Sequence, residues 1–526
     1  MVRRRGSQKL SAISETSITN EDTLTSSNSG GRLRPLRAIL YLTLAGALLF
    51  PDDGGAQLSP TSLSLQEAVA LALENNPRFL QQQNEVLVGR ATVRSAQGNL
   101  LPSARASNTF GYTASGERRF ESVGLGTQPE IYGSEYQIGL SYTLSGSTLL
   151  QPSVERSRLN ATQRRVVGAE ADLQSQVANQ YLTVLQAREQ ITQSEREIAR
   201  AGEHVRLAQA RLDVGAGTPL DVRRAEVQQG RAEVGLLQAT NDAATAVLVL
   251  SQLIGTHLEP EVDLTSEFAI FSPAWNAESM VEVALQNNPS LMAARAGSAA
   301  AGTAVNAARS SYLPTLNMNM GWRGSVYQAG NIDPLVAESL AGMQRNFSSC
   351  LRQDSIRVRV GLSSVNCVDP ANPAVAAALR SELEQQNSGF PFGYQRQPLS
   401  ASVTLSLPLF TGFTRQLEID RARASAADAG YQVRSEELRL RQEVGTAVRN
   451  LSTAYQITLL QEQVRGSAAE EMRLAQERFR FGAASSVEVT DAQTNLAQAE
   501  KELIDAVYNF HKSLAALEAL VGRPLR

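Results

Sequence analysis

Few side chains in this chain of 526 residues are of the types that catalyse reactions or bind metals. His204, His257 and His511 stand singly, and no nucleophile is spaced to use them. Cys350 and Cys367 lack the paired spacing of a zinc site. The sequence therefore predicts no enzyme, no metal site and no cofactor.

Three carboxylates, Asp221, Glu488 and Asp491, are the candidates for electrostatic chemistry. Glu488 and Asp491 are three residues apart, so a helix would carry both on one face. A carboxylate near the start of a helix is ordinarily explained by its favourable interaction with the helix dipole. From the residues alone this explanation is preferred, and any further role depends on the elements that hold these side chains.

Long segments without proline surround these carboxylates, one between Pro152 and Pro219 and one between Pro408 and Pro524. In the first segment apolar residues recur every seven positions, and small residues follow three positions after the middle members. The apolar set is Val177, Val184, Ile191, Ile198, Val205 and Leu212, and the small set is Ala187, Ser194, Ala201 and Ala208. This heptad pattern predicts a coiled-coil helix of about 60 residues, or roughly 90 Å.

Each long helix is predicted to turn back as a hairpin. Gly215 and Gly217 can end one helix, and Pro219 can open the next. A related turn is predicted near residue 482, followed by a return helix with apolar residues every seven positions. That stripe consists of Val489, Leu496, Leu503, Phe510 and Leu517.

Four segments of about ten residues alternate between apolar and polar side chains, as membrane-spanning strands do. They are about 103–113, 135–145, 315–323 and 399–410. Asn108 is an exception on the apolar face of the first segment. A soluble sandwich would alternate in the same way, but four strands are too few to support the long helices. Four strands also cannot close a barrel, so several chains must share one; strand number alone allows two, three or four chains.

The chain is internally duplicated. The tract at 72–80 returns at 284–292, and the turn beginning at Arg211 returns at Arg478. The two copies of the turn are further apart in the sequence than the two copies of the tract, which predicts an insertion in the second copy. The predicted parts are a first repeat, a linker, a second repeat and, within the second repeat, an inserted extracellular loop: 57–255, 256–275, 276–526 and 324–398.

The segment 1–56 is predicted to be a leader with a signal peptide, because arginines precede an apolar run that is too short to span a bilayer. A membrane anchor is the alternative. No other stretch offers 18 apolar residues, which argues against a helical inner-membrane protein. Export to an oxidising compartment favours a disulfide between Cys350 and Cys367. The net charge of −3 gives no reason to expect nucleic acid.

In combination, four short tracts and the strand pairs give this chain a family resemblance. The tracts are Asn75-Asn76-Pro77, Asn287-Asn288-Pro289, Leu220-Asp221-Val222 and Val487-Glu488-Val489. After residue 56 nearly the whole chain resembles the TolC-type outer-membrane efflux channel family. The resemblance implies a homotrimer: a twelve-stranded transmembrane β-barrel continued by a coiled-coil barrel of twelve helices in the periplasm.

The resemblance also implies partners and roles for particular residues. Two turns would meet a periplasmic adaptor protein that links the channel to an inner-membrane pump. These turns are Gly215, Ala216, Gly217, Thr218, Pro219 and Leu220, and Gly482, Ala483, Ala484, Ser485, Ser486 and Val487. Asp221, Glu488 and Asp491 would form an acidic pore constriction that attracts cations. Phe479 and Ala484 stand where family members use a tyrosine and an arginine to hold the end closed, and neither side chain can make those polar links. Arg223, Arg224 or Arg480 is the alternative source of such a link.

The predicted function is a passive exit duct in the outer membrane, serving a tripartite efflux system or type I secretion. The alternative is a periplasmic coiled-coil adaptor or scaffold, which would be soluble without detergent.

Overall fold

The computed structural model describes residues 62–120 and 123–525. The predicted leader and signal peptide lie outside these residues. The first half runs through β1 (Ser62–Leu63), α1 (Leu65–Asn75), α2 (Pro77–Gly98), β2 (Ser103–Thr113), β3 (Gly116–Phe120), β4 (Val123–Gln128), β5 (Ile131–Leu144), α3 (Gly146–Asp213) and α4 (Pro219–Ile254). The second half runs through β6 (Asp263–Leu264), α5 (Ala277–Asn287), α6 (Pro289–Arg309), β7 (Thr315–Ala329), α7 (Asp333–Arg359), α8 (Pro373–Gln386), β8 (Gln395–Arg396), β9 (Ser400–Ser406), α9 (Thr414–Arg480) and α10 (Ser486–Val521).

The long strands form one antiparallel sheet in the order β2-β5-β7-β9, with the short β8 also paired to β7. The register places the apolar side chains of neighbouring strands side by side. Ile138 of β5, for example, lies between Ala106 of β2 and Trp322 of β7. The sheet therefore has one apolar and one polar face, and β2 and β9 form its two edges among the described residues.

The structure differs from the sequence predictions at several strand ends. The second strand begins earlier, at Ile131, and the third continues to Ala329. The fourth ends at Ser406, before Pro408, because proline has no amide hydrogen to donate to a strand neighbour. An unpredicted hairpin of β3 and β4 fills the connection between β2 and β5.

The segment 324–398, predicted as a loop, contains the helices α7 and α8. Proline opens both helices at a position where no amide hydrogen is needed. A disulfide joins Cys350 in α7 to Cys367 in the loop that follows. The segment 324–398 is thus partly helical, and a disulfide joins its first helix to the loop that follows.

The helices form a layer held by the predicted heptad residues. Next to the sheet, the helices lie side by side in the order α2-α3-α6-α9. Further from the sheet, α4 takes the place of α2 and α10 that of α6, so that the order is α4-α3-α10-α9. Helix α3 has 68 residues and α9 has 67, about 100 Å each. Val177 and Val184 are fully buried on α3, as are Phe510 and Leu517 on α10.

The two asparagine-proline tracts make equivalent contacts, each with the C-terminal end of the hairpin that follows it in its half of the chain. Asn76 caps α2, and its side-chain amide donates to the carbonyl of Leu253 at 2.8 Å; Asn288 caps α6 and donates to Leu520 at 3.0 Å. A Cβ atom at Gly255 would lie 2.4 Å from the Asn75 carbonyl oxygen. Each asparagine-proline tract therefore rests on the glycine that ends the hairpin of its own repeat.

Among the described residues, α4 is long enough and on average apolar enough to be a candidate membrane span, although it holds no run of 18 apolar residues and only 22% of its most apolar 18 residues are buried. Its apolar residues occupy two faces: Val247 and Leu250 are buried, whereas Leu237 and Leu248 are exposed. Two apolar faces, rather than one continuous apolar surface, account for the result.

Candidate functional site at the two hairpin turns

The turns that join α3 to α4 and α9 to α10 have the same backbone geometry. Gly215 adopts a φ of 74°, a left-handed conformation that favours glycine. Its amide donates to the carbonyl of Leu212 at 2.9 Å, and the Ala216 amide donates to Arg211 at 2.8 Å. The second turn repeats the left-handed glycine and both bonds at the equivalent positions Gly482, Phe479, Ala483 and Arg478.

Two of the predicted constriction carboxylates cap the return helices. Asp221 accepts hydrogen bonds from the amide of Thr218 at 3.0 Å and from its hydroxyl at 2.7 Å. Glu488 accepts from the amide of Ser485 at 3.4 Å and faces Arg478 at 3.4 Å. Both carboxylates therefore complete capping boxes, which neutralise part of the positive end of a helix.

Asp491 differs from the other two carboxylates. It is exposed, and it has no hydrogen bond or ion pair within the described residues. Together with Glu488, Glu470 and Glu471 it lines a groove between α9 and α10. An ion pair with Arg473 lowers the pKa of Glu470, mainly through the hydrogen bond to that carboxylate. The groove is acidic, and Asp491 is its carboxylate with the least compensation.

Sequence reasoning missed a contact between the two hairpins. Phe479 of α9 is buried, with its ring centroid 5.4 Å from that of His204 on α3. The guanidinium of Arg211 lies 4.5 Å from the same ring. Burial lowers the pKa of His204, and the nearby Asp221 carboxylate opposes this in part. The available signal was the position of His204 on the buried face of α3, between Ala201 and Ala208.

Both turns expose large apolar side chains at equivalent positions. Val214 is 77% exposed and its equivalent Phe481 is 83% exposed; Leu220 and Val487 form a second exposed pair. Apolar residues gathered at the end of a hairpin are typical of a surface that binds another protein. Most residues of the turns predicted to meet an adaptor are thus exposed, with apolar side chains at each end, but Ser486 is buried and Gly217 and Ala484 are half-buried.

Comparison with known proteins places the chain in a family. Residues 68–256 and 351–523 match the family model described as outer membrane efflux protein. The chain belongs to this family. TolC of Vibrio cholerae is 23% identical over 470 residues, which cover 87% of this chain and 90% of that protein. The efflux protein BepC of Brucella suis is 33% identical over 138 residues, covering 26% of this channel and 30% of BepC.

Solved structures of outer-membrane channels share the fold. The structure of CusC superposes with a TM-score of 0.65 at 16% identity, covering 87% of this channel and 92% of CusC. VceC of Vibrio cholerae gives 0.63 at 15% identity, covering 88% and 97%. The resemblance seen in the sequence is confirmed. The protein is an outer-membrane efflux channel, in a family of channels rather than enzymes, and the alternative of a periplasmic adaptor or scaffold is not supported.

Proposed function

We propose that the channel is the outer-membrane duct of a tripartite efflux or type I secretion system. Three copies would form a twelve-stranded barrel in the membrane and a twelve-helix barrel in the periplasm. Substrates delivered by a pump and its adaptor would pass through without further energy input. The observation that carries this proposal is that, among the described residues, the sheet ends at β2 and β9 and the helical layer ends at α2 and α4 on one side and at α9 on the other.

The helices at those sides expose apolar residues at heptad spacing. On α4 the exposed stripe consists of Leu220, Val227, Val234 and Leu248, and on α9 it includes Leu417, Tyr431, Leu438 and Leu459. Heptad stripes are how long helices pack side by side. The stripe on α4 of one copy is therefore a natural partner for α9 of the next copy.

The sheet edges follow the same arrangement. Strand β2 comes directly after the edge helix α2, and β9 comes directly before the edge helix α9. In lipid the free amide and carbonyl groups of these edge strands would have no partner. Pairing β2 of one copy with β9 of the next satisfies them and brings the helix edges together in the same step.

The two faces of the sheet suit a barrel in a membrane. Ile138, Leu140, Met320 and Trp322 are exposed on the apolar face. That face would contact lipid, whereas the face rich in serine and asparagine would line the interior. In this orientation the segment 324–398 would lie at the end of the barrel opposite the hairpin turns, outside the cell.

The hairpin turns supply two further parts of the proposal. Val214, Leu220, Phe481 and Val487 give each turn an apolar surface for the adaptor. Asp491, supported by Glu488 and Asp221, would place acidic rings near the periplasmic end, about 8 Å along α10 from its start at Ser486. Such rings favour the passage of cations over anions.

The proposal is tested by the assembly of the purified channel. Val234→Asp places a charge in the exposed stripe of α4, so we expect the trimer in detergent to be lost and pore formation in planar bilayers to fail. Val234→Thr keeps the branched shape without a charge and serves as the control. A wild-type channel that is monomeric in detergent, or that remains in solution without it, would refute the proposed duct.

A further inference from the structure

The polar face of the sheet holds two arginines beside a trough without side chains at its centre. One row of paired residues across the strands reads Arg105, Gly139, Gly321 and Ser400. In the next row, Ser107 and Gln137 lead to Arg323. Both arginines line the same concave pocket. We call this pocket the polar trough.

The floor of the polar trough consists of two directly paired glycines. A Cβ atom at Gly321 would lie only 2.7 Å from the carbonyl oxygen of Ile138 on the neighbouring strand, so there is no room for a side chain at that position. Arg105 and Arg323 are two strands and two residues apart, or roughly 12 Å between their Cα atoms. Arginine side chains are long enough to converge over this floor from both sides.

The charges of these two arginines are not compensated. Neither guanidinium has an ion pair or a hydrogen bond within the part of the chain that the structure describes. On this face of the four long strands, the acidic residue is Glu135 of β5. It pairs across the strands with Thr109 and Ser325, in the row of residues next to that of Arg323. It bonds to neither arginine. The remaining side chains of the trough are neutral hydrogen-bonding groups, among them Ser141, Asn319 and Ser402.

We propose that the polar trough binds small polyanions that carry phosphate or carboxylate groups. A guanidinium presents paired donors that match the oxygens of such groups, and two guanidinia facing one open floor suit a ligand with two or more negative charges. The inference rests on the proposed barrel, in which three copies would place six arginines around the interior. Anions repelled by the acidic periplasmic end would then be held at the opposite end of the duct.

Inorganic pyrophosphate is the probe for this site. The channel is added to one chamber of a planar bilayer, so that the barrel opens into the other, and magnesium-free pyrophosphate is added to that other chamber. We expect it to reduce the conductance of the wild-type channel. The double variant Arg105→Gln and Arg323→Gln should need at least about tenfold more pyrophosphate for half block, given the strength of hydrogen bonds between charged groups.

Arg396→Gln is the matched control, because Arg396 pairs with Gly324 and so lies on the apolar face, one residue from the level of Arg323. Its block should equal that of the wild type. Equal block of the double variant and the wild type would overturn the site while leaving the pore intact. Calorimetric titration of pyrophosphate into the detergent-solubilised wild type and double variant tests the site independently of pore formation. Failure of the wild type to form pores in the bilayer would count against the proposed duct. Absence of pyrophosphate binding in the titration would count against the polar trough.

Discussion

The ring of Phe479 meets the imidazole of His204 edge-on, with 5.4 Å between the two centroids. These residues belong to different hairpins, α9 and α3, and Arg211 lies over the phenyl ring from the same helix as His204. A tyrosine is expected at residue 479 from the family resemblance. In this chain residue 479 makes an aromatic contact between the two hairpins, and polar links such as the ion pair of Arg200 with Glu500 also join them.

Acidification should weaken this contact. Burial holds the pKa of His204 below its ordinary value of about 6.5, and neither ring nitrogen has a hydrogen-bond partner within the described residues. His204 is therefore harder to protonate in the folded protein than in the unfolded chain. Its full contribution to the free energy of unfolding is present above the pKa of the unfolded chain. That contribution is lost as the pH falls towards the lower pKa of the folded protein. The loss is at most about 1.4 kcal/mol per pH unit and chain.

Thermal melting of the channel at pH 7.5 and pH 5.5 measures this effect. We expect the wild type to lose more stability on acidification than His204→Leu, whose side chain cannot be protonated. His257→Leu serves as the control, because His257 is largely exposed and pairs only with Glu259. A pH dependence that survives in His204→Leu would assign it to other groups.

The acidic groups near the turns should contribute unequally to ion selectivity. Asp491 is exposed and unpaired in the described residues, whereas Glu488 is held by the amide of Ser485 and by Arg478. Asp491→Asn should therefore reduce cation preference in bilayer recordings more than Glu488→Gln, and the double variant Glu488→Ala and Asp491→Ala most of all. Glu488→Gln retains the capping box, since glutamine can accept the same hydrogen bond from the Ser485 amide, so it should weaken the start of α10 only through the lost charge, by about 0.3 to 1 kcal/mol. Unchanged selectivity in all three variants would remove these residues from the constriction.

Local patterns in the sequence predict the helices, the turns and the long strands. The heptad residues Val177 and Val184 are buried in the structure, and the glycines at 215 and 482 do adopt left-handed conformations. Each of these features is encoded within a few residues of itself, by side-chain periodicity or by a backbone conformation that only certain residues adopt easily.

Features that depend on distant residues could not be predicted. Phe479 and His204 are far apart in sequence, and no local pattern links them. By contrast, α7 does carry a local helical signal, since Val336, Leu340, Met343 and Phe347 recur at spacings of three and four residues, although none of its residues is buried. The position of Asp221 and Glu488 near helix starts indicates an interaction with the helix dipole, but only the hydrogen bonds to Thr218 and Ser485 establish that they complete helix caps.

The disulfide should protect the inserted segment from proteases. It closes a loop across a sequence separation of 17, and a loop of that length is stabilised by about 3 kcal/mol in the chain-entropy account. In the double variant Cys350→Ser and Cys367→Ser, protease added to intact cells should cut between residues 324 and 398. Assembly and conductance should be unchanged, because α7 and α8 bury no residue against the barrel strands.

Ser348→Ala is the control for the inserted segment, since Ser348 lies on α7 close to Cys350 and bonds only to the Arg345 carbonyl of its own helix. Its resistance to protease should match that of the wild type. If the variant without the disulfide is never cut on intact cells but is cut after lysis, the proposed extracellular position of the segment is wrong.

Tyr394 explains why Asn108 is tolerated on the apolar face of the sheet. The Asn108 amide donates to the Tyr394 hydroxyl at 2.8 Å, and the buried Ser134 hydroxyl lies 3.0 Å from the same oxygen. The Tyr394 ring also packs on Tyr136, with 4.8 Å between the centroids. In the proposed barrel this polar cluster would face lipid, and a residue from the segment 324–398 satisfies its hydrogen bonds.

Removing that hydroxyl should destabilise the barrel. Tyr394→Phe keeps the ring contact but leaves the Asn108 amide without its acceptor, at a cost of about 1 to 3 kcal/mol, measured as a lower thermal midpoint of the detergent-solubilised channel. Asn108→Val removes the polar group, so Tyr394→Phe should cost much less in that background. Tyr142→Phe, on the same face of β5, removes a hydroxyl that has no hydrogen bond within the described residues and should change little. The stability lost through a shared hydrogen bond must disappear when either partner is absent. If Tyr394→Phe lowers the thermal midpoint equally with and without Asn108, the two residues are therefore not energetically coupled.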